Sequence, residues 1–311
     1  KRYGTGERAV VAVDGLDLAV GAGEVFGFLG PNGAGKSTTI NMLLDSVRPT
    51  DGSATILGMD VNEQSETIRQ QIGVLPEGFG LYERLSGRRH FEFAIDWQDA
   101  DDDPAAILDR VGLSQADAAR SVGDYSKGMQ QRLALGMAIV GDPDVLVLDE
   151  PSSGLDPHGI RQMRDLVREE AARGATVFFS SHILGEVEAV CDRVGILHEG
   201  ELVAVDDVER LRRTVASGSE LRLRIEDDVP VDVTAIDGVT STSHAGGVLR
   251  ATVDDQRAKA RVVATLAEAG VDVIDVDSAE PSLEDVFTAY TAERVDEAVS
   301  DDSPTQAEVT A

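Results

Sequence analysis

Residues 30–38 read GPNGAGKST and residues 145–151 read VLVLDEP. Glycine-rich spacing followed by a lysine and a hydroxyl is what a polyphosphate demands of a chain. Gly30, Gly33 and Gly35 let the backbone around Pro31, Asn32 and Ala34 curl, so that successive N–H groups aim at phosphate oxygens. The helix that begins here, with Thr38 in its first turn, adds its positive end. Lys36 reaches toward the β- and γ-phosphates, and the Ser37 hydroxyl is placed to hold Mg²⁺. The second stretch delivers Asp149 to a strand end, where a carboxylate holds Mg²⁺ through water, with Glu150 on the opposite side of the pleat. A carboxylate beside a metal accepts a proton from an attacking water, so hydrolysis is the expected chemistry. Taken alone, Glu150 also reads as a strand-end surface acid, and a phosphate loop alone does not choose among kinases, GTPases and motors.

Between the two lies YSKGMQQ, residues 125–131. Ser126 offers a hydroxyl, and Gly128 with the helix start behind it offers N–H donors to a phosphate. The same residues also read as an ordinary helix start with Ser126 as N-cap.

Positioning these groups takes alternating strands and helices. EVFGFLG (24–30) is an apolar run ending in glycine, and KSTTINMLLDSV (36–47) has helical spacing of Ile40, Leu43, Leu44 and Val47. DVLVLDE (144–150) and ATVFFSS (175–181) read as buried parallel strands, with a helix over HGIRQMRDLVREEAARG between them. This rhythm predicts an α/β domain with helices on both faces over residues 1–214. The texture then changes. LRLRI (221–225), VLRATV (248–253) and VDVIDV (271–276) read as strands, DDQRAKARVVATLAEAG (254–270) as an amphipathic helix closed by Gly270, and SLEDVFTAY (282–290) as a last helix with Ser282 and Asp285 spaced as a capping box. A small C-terminal α+β domain is therefore expected over 215–291, followed by an acidic, aperiodic and disordered tail over 292–311.

Composition narrows the partners. The chain of 311 residues carries 57 Asp and Glu against 28 Lys and Arg, a net charge of −29. Such a surface repels nucleic acid and anionic lipid, which bind clustered cations, so no nucleic-acid partner is expected. Lysine is confined to Lys1, Lys36, Lys127 and Lys259, and this acid-rich, lysine-poor balance resembles proteins of salt-loving microbes. The sequence shows no apolar run of about 18 residues to span a bilayer, and no basic-then-apolar stretch of the kind expected of a leader opens it. Its single cysteine, Cys191, precludes an internal disulfide framework and reads as a buried packing residue. A soluble cytoplasmic protein is the default, and the opening Lys1 in place of Met suggests that the natural chain extends upstream.

With LPEG (75–78), SGLD (153–156) and SSH (180–182), these stretches form an ordered set. Over roughly residues 1–215 that set resembles the ATP-binding cassette (ABC) ATPases that drive ABC transporters. The resemblance implies a P-loop NTPase cassette with a helical subdomain at about 77–125, ATP and Mg²⁺ as ligands, and ATP hydrolysis. It implies that Tyr3 stacks on adenine, that His182 contacts the γ-phosphate, and that Asp156 lies in a loop crossing a dimer interface. It makes YSKGMQQ the signature motif, in which Ser126, Lys127, Gly128 and Met129 contact ATP held by a second copy of the chain. Two departures stand out. Lys127 replaces the usual glycine and Met129 the usual glutamine, while Glu77 replaces the glutamine of the loop that senses Mg²⁺ and the membrane partner. Glutamate keeps an oxygen for the metal but loses the amide donor. Both variants resemble drug-resistance and cell-envelope exporters whose multi-spanning permease is a separate chain, which would place this subunit peripherally on the cytoplasmic face of the membrane. The competing expectations are a soluble ABC ATPase acting on ribosomes or DNA, and a nucleotide-dependent immunity or binding protein of low turnover.

Overall fold

A computed structural model of the chain describes residues 1–215, 219–226, 231–253 and 256–279, and these fall into two compact units, one over Lys1–Asp206 and one from Asp207 onward. The division falls upstream of the change in sequence texture around 214, because strand β10 below runs directly into a helix.

In the first unit, a short pair β1 (Arg2–Tyr3) and β2 (Val10–Val11) precedes β3 (Val25–Leu29), the loop 30–35 and α1 (Lys36–Leu43). A second short pair, β4 (Thr55–Ile56) and β5 (Met59–Asp60), leads through α2 (Ser65–Arg69) to β6 (Ile72–Leu75). Four helices follow: α3 (Gly87–Gln98), α4 (Pro104–Arg110), α5 (Gln115–Ala118) and α6 (Lys127–Ala138). Each starts at a side-chain cap, Ser86, Asp103, Ser114 and Ser126, whose oxygen accepts a first-turn N–H that the helix leaves unpaired. The chain then returns through β7 (Val145–Asp149), α7 (Pro157–Arg173), β8 (Thr176–Ser181), α8 (Leu184–Val190), β9 (Arg193–His198) and β10 (Glu201–Asp207).

The sheet order is β10-β9-β3-β8-β7-β6, with β3, β6, β7, β8 and β9 paired in parallel. β3 and β7 are apolar runs buried along their length, as strands covered on both faces must be. Phe26 and Phe28 lie 5.9 and 5.2 Å from Phe178 between ring centroids, filling one side of the sheet. On the other side Gly27 admits α8, since a Cβ there would stand 2.5 Å from the Val187 side chain. Because β8 lies between β3 and β7, with Leu29 beside Ser181 and Asp149 beside Ser180, three sequence-distant strand ends open at one place.

Helix α1 is shorter than its periodicity suggests. It stops at Leu43 because Asp45 turns to φ 52° and the N–H groups of Ser46 and Val47 close back on Asn41 O.

The second unit comprises α9 (Val208–Val215), β11 (Ser219–Ile225), β12 (Val239–Ala245), β13 (Val248–Val253), α10 (Gln256–Glu268) and β14 (Val273–Ala279). The strands form an antiparallel sheet in the order β12-β13-β11-β14. Leu221, Leu223, Leu249 and Ala251 pack with Val262 and Leu266 of α10, while Arg222 and Arg224 stand opposite Asp277 and Asp275. β12 was not anticipated: VTSTSHA carries no apolar alternation, and its pairing to β13 supplies the strand. The expected helix at 282–290 and the tail at 292–311 lie outside the described residues.

Candidate nucleotide site

The loop after β3 is built around close backbone approaches. Gly33 and Gly35 have φ of 86° and 109°, in the left-handed region, and a Cβ on Gly35 would stand 2.4 Å from Ala12 O. Ala12 itself bonds to Lys1 O, so the hairpin bearing Tyr3 is tied to the loop. Lys36, only 6% exposed, folds its ammonium back over the loop, bonding Gly30 O at 2.7 Å and Pro31 O at 3.3 Å, and stands 3.7 Å from Glu150 Oε1.

Asp149 ends β7 and accepts a short hydrogen bond from the Ser180 hydroxyl. Burial pushes its carboxyl above the usual carboxylate range; the Ser180 bond opposes that, while the nearby Glu77 charge adds to it. Glu77 Oε2 in turn accepts from Ser37 Oγ at 3.2 Å. Ser37, Glu77 and Asp149 thus form a hard-oxygen set of the kind that holds Mg²⁺, and the mutual repulsion of the two acids is what a cation relieves. Glu150 occupies the next turn with φ 49°, the only buried non-glycine residue with positive φ among the described residues. Its N–H donates to Ser180 O at 3.2 Å, and its Oε2 receives His182 Nδ1 at 2.8 Å. His182 therefore carries its proton on Nδ1 and turns Nε2 away from the carboxylate.

Because the folded state raises the Asp149 pKa, the ionised side chain costs the metal-free fold stability at neutral pH; below the usual 3.8 that cost disappears. Asp149→Asn in EDTA is expected to raise Tm at pH 7, since the asparagine carries no charge to desolvate. The gain should shrink as pH falls through the carboxylate range. Thermal melts at several pH values check this; an unchanged or lower Tm at pH 7 would count against it.

The YSKGMQQ stretch lies at the start of α6. Ser126 Oγ accepts Met129 N–H at 3.2 Å, so the N-cap reading is correct locally. Lys127 is exposed, and Gly128 lies against Gly154, where a Cβ would meet Gly154 O at 3.1 Å. Gln131 is buried and donates to Pro151 O at 2.9 Å, directly after Glu150. Arg132 reaches Asp156 Oδ1 at 3.6 Å and donates to Gly112 O at 3.0 Å. Asp156 also caps α7 by accepting Gly159 N–H at 2.7 Å. Among the described residues, no hydrogen bond or ion pair joins residues 126–129 to the loop 30–38. Tyr3 is exposed on β1, with Lys1 Nζ 4.9 Å from its ring centroid.

The family model described as ABC transporter matches residues 13–153, and the model for the C-terminal domain of DrrA1-3-like ATP-binding proteins matches 207–291. The daunorubicin/doxorubicin resistance ATP-binding protein DrrA of Streptomyces peucetius is 35% identical over 309 residues, covering 96% of this chain and 93% of that protein. This chain belongs to the ABC transporter ATP-binding proteins. The bacitracin transport ATP-binding protein BcrA of Bacillus licheniformis is similar at 36% over 294 residues, covering 92% of this chain and 93% of that protein. A solved structure of an ATP binding subunit of an ABC transporter superposes with a TM-score of 0.61 at 30% identity, covering 68% of this chain and 90% of that one. As an ABC ATPase the chain binds ATP and hydrolyses it.

Several contacts of this ABC ATPase site escape a reading by motif. Ser180 was visible as part of SSH, but its bond to Asp149 follows only from the register of β7 against β8. Gln131 was visible as part of YSKGMQQ, but its role in bonding Pro151 was not. Cys191 is buried as expected, and burial holds its thiol far above the ordinary range, so it is inert as a nucleophile.

Proposed function

We infer that this ABC ATPase powers an exporter of the drug and antibiotic type, with a separate multi-spanning permease, from the cytoplasmic face of the membrane. Two copies close on two ATP molecules, each held by the loop 30–38 and Tyr3 of one copy and by Ser126, Lys127, Gly128 and Met129 of the other. The observation that carries the catalytic reading is the line Lys36–Glu150–His182, with the Glu150 carboxylate 3.7 Å from Lys36 Nζ and 2.8 Å from His182 Nδ1, beside the oxygen cluster of Ser37, Glu77 and Asp149. Lys36 binds the phosphates, Glu150 takes the proton of the attacking water, and His182 faces the γ-phosphate through Nε2. Mg²⁺, held by Ser37, Glu77 and Asp149, would neutralise charge on the phosphate oxygens. The exposed Ser126 and Lys127 at the start of α6 are open to a second copy, and likeness to DrrA and BcrA over nearly the whole length supports the exporter class. Closure is passed to the permease through residues 77–125, which begin at Glu77 of the oxygen cluster. No helix among the described residues is long and apolar enough to cross a membrane, in keeping with a peripheral subunit.

Isolation of the Glu150→Gln protein from its own membranes with ATP tests this. A multi-spanning protein recovered in equal amount is the expected result. Recovery with ribosomes, or alone in the soluble fraction, would overturn the exporter reading. The acidic surface, net −29, is in this reading a salt adaptation. ATPase activity should then rise toward molar KCl, and a maximum in dilute buffer would refute it.

A further inference from the structure

Glu186 is 3% exposed and makes no ion pair among the described residues, an expensive state for a carboxylate. It sits in the first turn of α8, outside every motif read from the sequence. Its Oε2 accepts two hydroxyls, Ser152 Oγ at 2.6 Å and Ser181 Oγ at 3.2 Å, and both serines are buried. Ser181 Oγ meanwhile accepts Ile183 N–H at 3.0 Å, so its one proton is committed to Glu186. Ser152 follows Glu150 by two residues, and Ser181 immediately precedes His182. One carboxylate oxygen thus fastens together the two strand-end turns that carry the proposed base and its histidine. Ser152 also anchors the turn beyond, since its carbonyl accepts Leu155 N–H at 3.0 Å just ahead of Asp156.

We propose that Glu186 is a positioning residue for hydrolysis: by gripping Ser152 and Ser181 it holds Glu150 and His182 in register and sets the turn that leads to Asp156. This rests on the assignment of Glu150 and His182 above. Glu186 touches neither the phosphate loop nor Lys36 in any described contact, so its removal acts on turnover rather than on ATP affinity.

Steady-state kinetics of Glu186→Ala, Glu186→Gln and Ser152→Ala test the proposal. Glu186→Ala is expected to lower kcat about tenfold or more, the scale of a small misplacement of a reacting group, with KM for ATP little changed. Glu186→Gln keeps an acceptor oxygen and should recover most of the loss, and Ser152→Ala should share part of it. Added to Glu150→Gln, Glu186→Ala should cost clearly less than it does alone, because one of the two groups it positions is gone. A Glu186→Ala protein with wild-type kcat, or a full additional loss in the Glu150→Gln background, overturns the proposal. If Glu186→Ala does not fold, an unchanged kcat in Ser152→Ala and Ser181→Ala does the same. The Glu150→Gln control separates failures: if it retains turnover, the catalytic assignment falls first, whereas a dead Glu150→Gln beside an unaffected Glu186→Ala sinks only the positioning role.

Discussion

Glu150→Gln is expected to lower ATP turnover by about 10²–10⁴-fold, the range for loss of a general base, while leaving ATP affinity within a small factor of wild type. The substitution is nearly isosteric. Glutamine keeps an oxygen to accept the His182 Nδ1 proton that Glu150 Oε2 now accepts at 2.8 Å. It also keeps the backbone bond to Ser180 O that holds residue 150 at φ 49°. A buried side chain held in a rarely populated backbone region is the mark of a position over-determined for function. The amide lacks the one property that glutamate supplies, a basic oxygen. With binding intact and chemistry blocked, the variant should elute as a dimer in Mg·ATP and as a monomer without nucleotide, with two ATP per dimer. If Ser126 serves the other copy's nucleotide, as proposed, adding Ser126→Arg should preserve ATP binding by the monomer and abolish the dimer. Wild-type turnover in Glu150→Gln would refute its assignment as base, and a dimer that survives Ser126→Arg would refute the shared site.

How far the sequence could foresee this site depended on whether a feature was local. The loop 30–38 was legible because its determinants lie together: an apolar strand, glycines at positions of positive φ, and a helix that starts at Lys36. Asp149 and Glu150 were legible because a buried apolar run has to end somewhere, and it ends on them. What stayed hidden depends on strand order and register. The Ser180–Asp149 bond spans 31 residues and exists because β7 pairs with β8; the Ser152–Glu186 bond spans 34 and needs α8 to pack beneath that junction. A glutamate in the first turn of a helix is locally unremarkable, and only tertiary placement shows that Glu186 is buried. β12 was missed for the opposite reason: a serine- and threonine-rich strand on a largely exposed edge has no periodicity to read, and its neighbour β13 defines it.

Lys36→Ala should lose ATP binding itself, with Kd weakened by about a hundredfold, since two charge-assisted hydrogen bonds of about 1.5 kcal/mol each amount to two decades. The ammonium is buried and presently spread over Gly30 O at 2.7 Å, Pro31 O at 3.3 Å and the Glu150 carboxylate at 3.7 Å. These partners hold it at the loop, so little side-chain entropy remains to be lost when phosphate oxygens join them. Arginine at this position should fail as well, because a 6% exposed site shaped around a slim stem has no room for a planar guanidinium. Titration calorimetry of Lys36→Ala, Lys36→Arg and Glu150→Gln against Mg·ATP then separates grip from chemistry. The two lysine variants should lose heat of binding, and the Glu150 variant should keep it while turning over almost nothing. Lys36→Ala binding ATP as tightly as wild type would mean that the glycine loop and helix end carry the phosphates unaided, and the 3.7 Å approach to Glu150 would then be the reason the lysine is there.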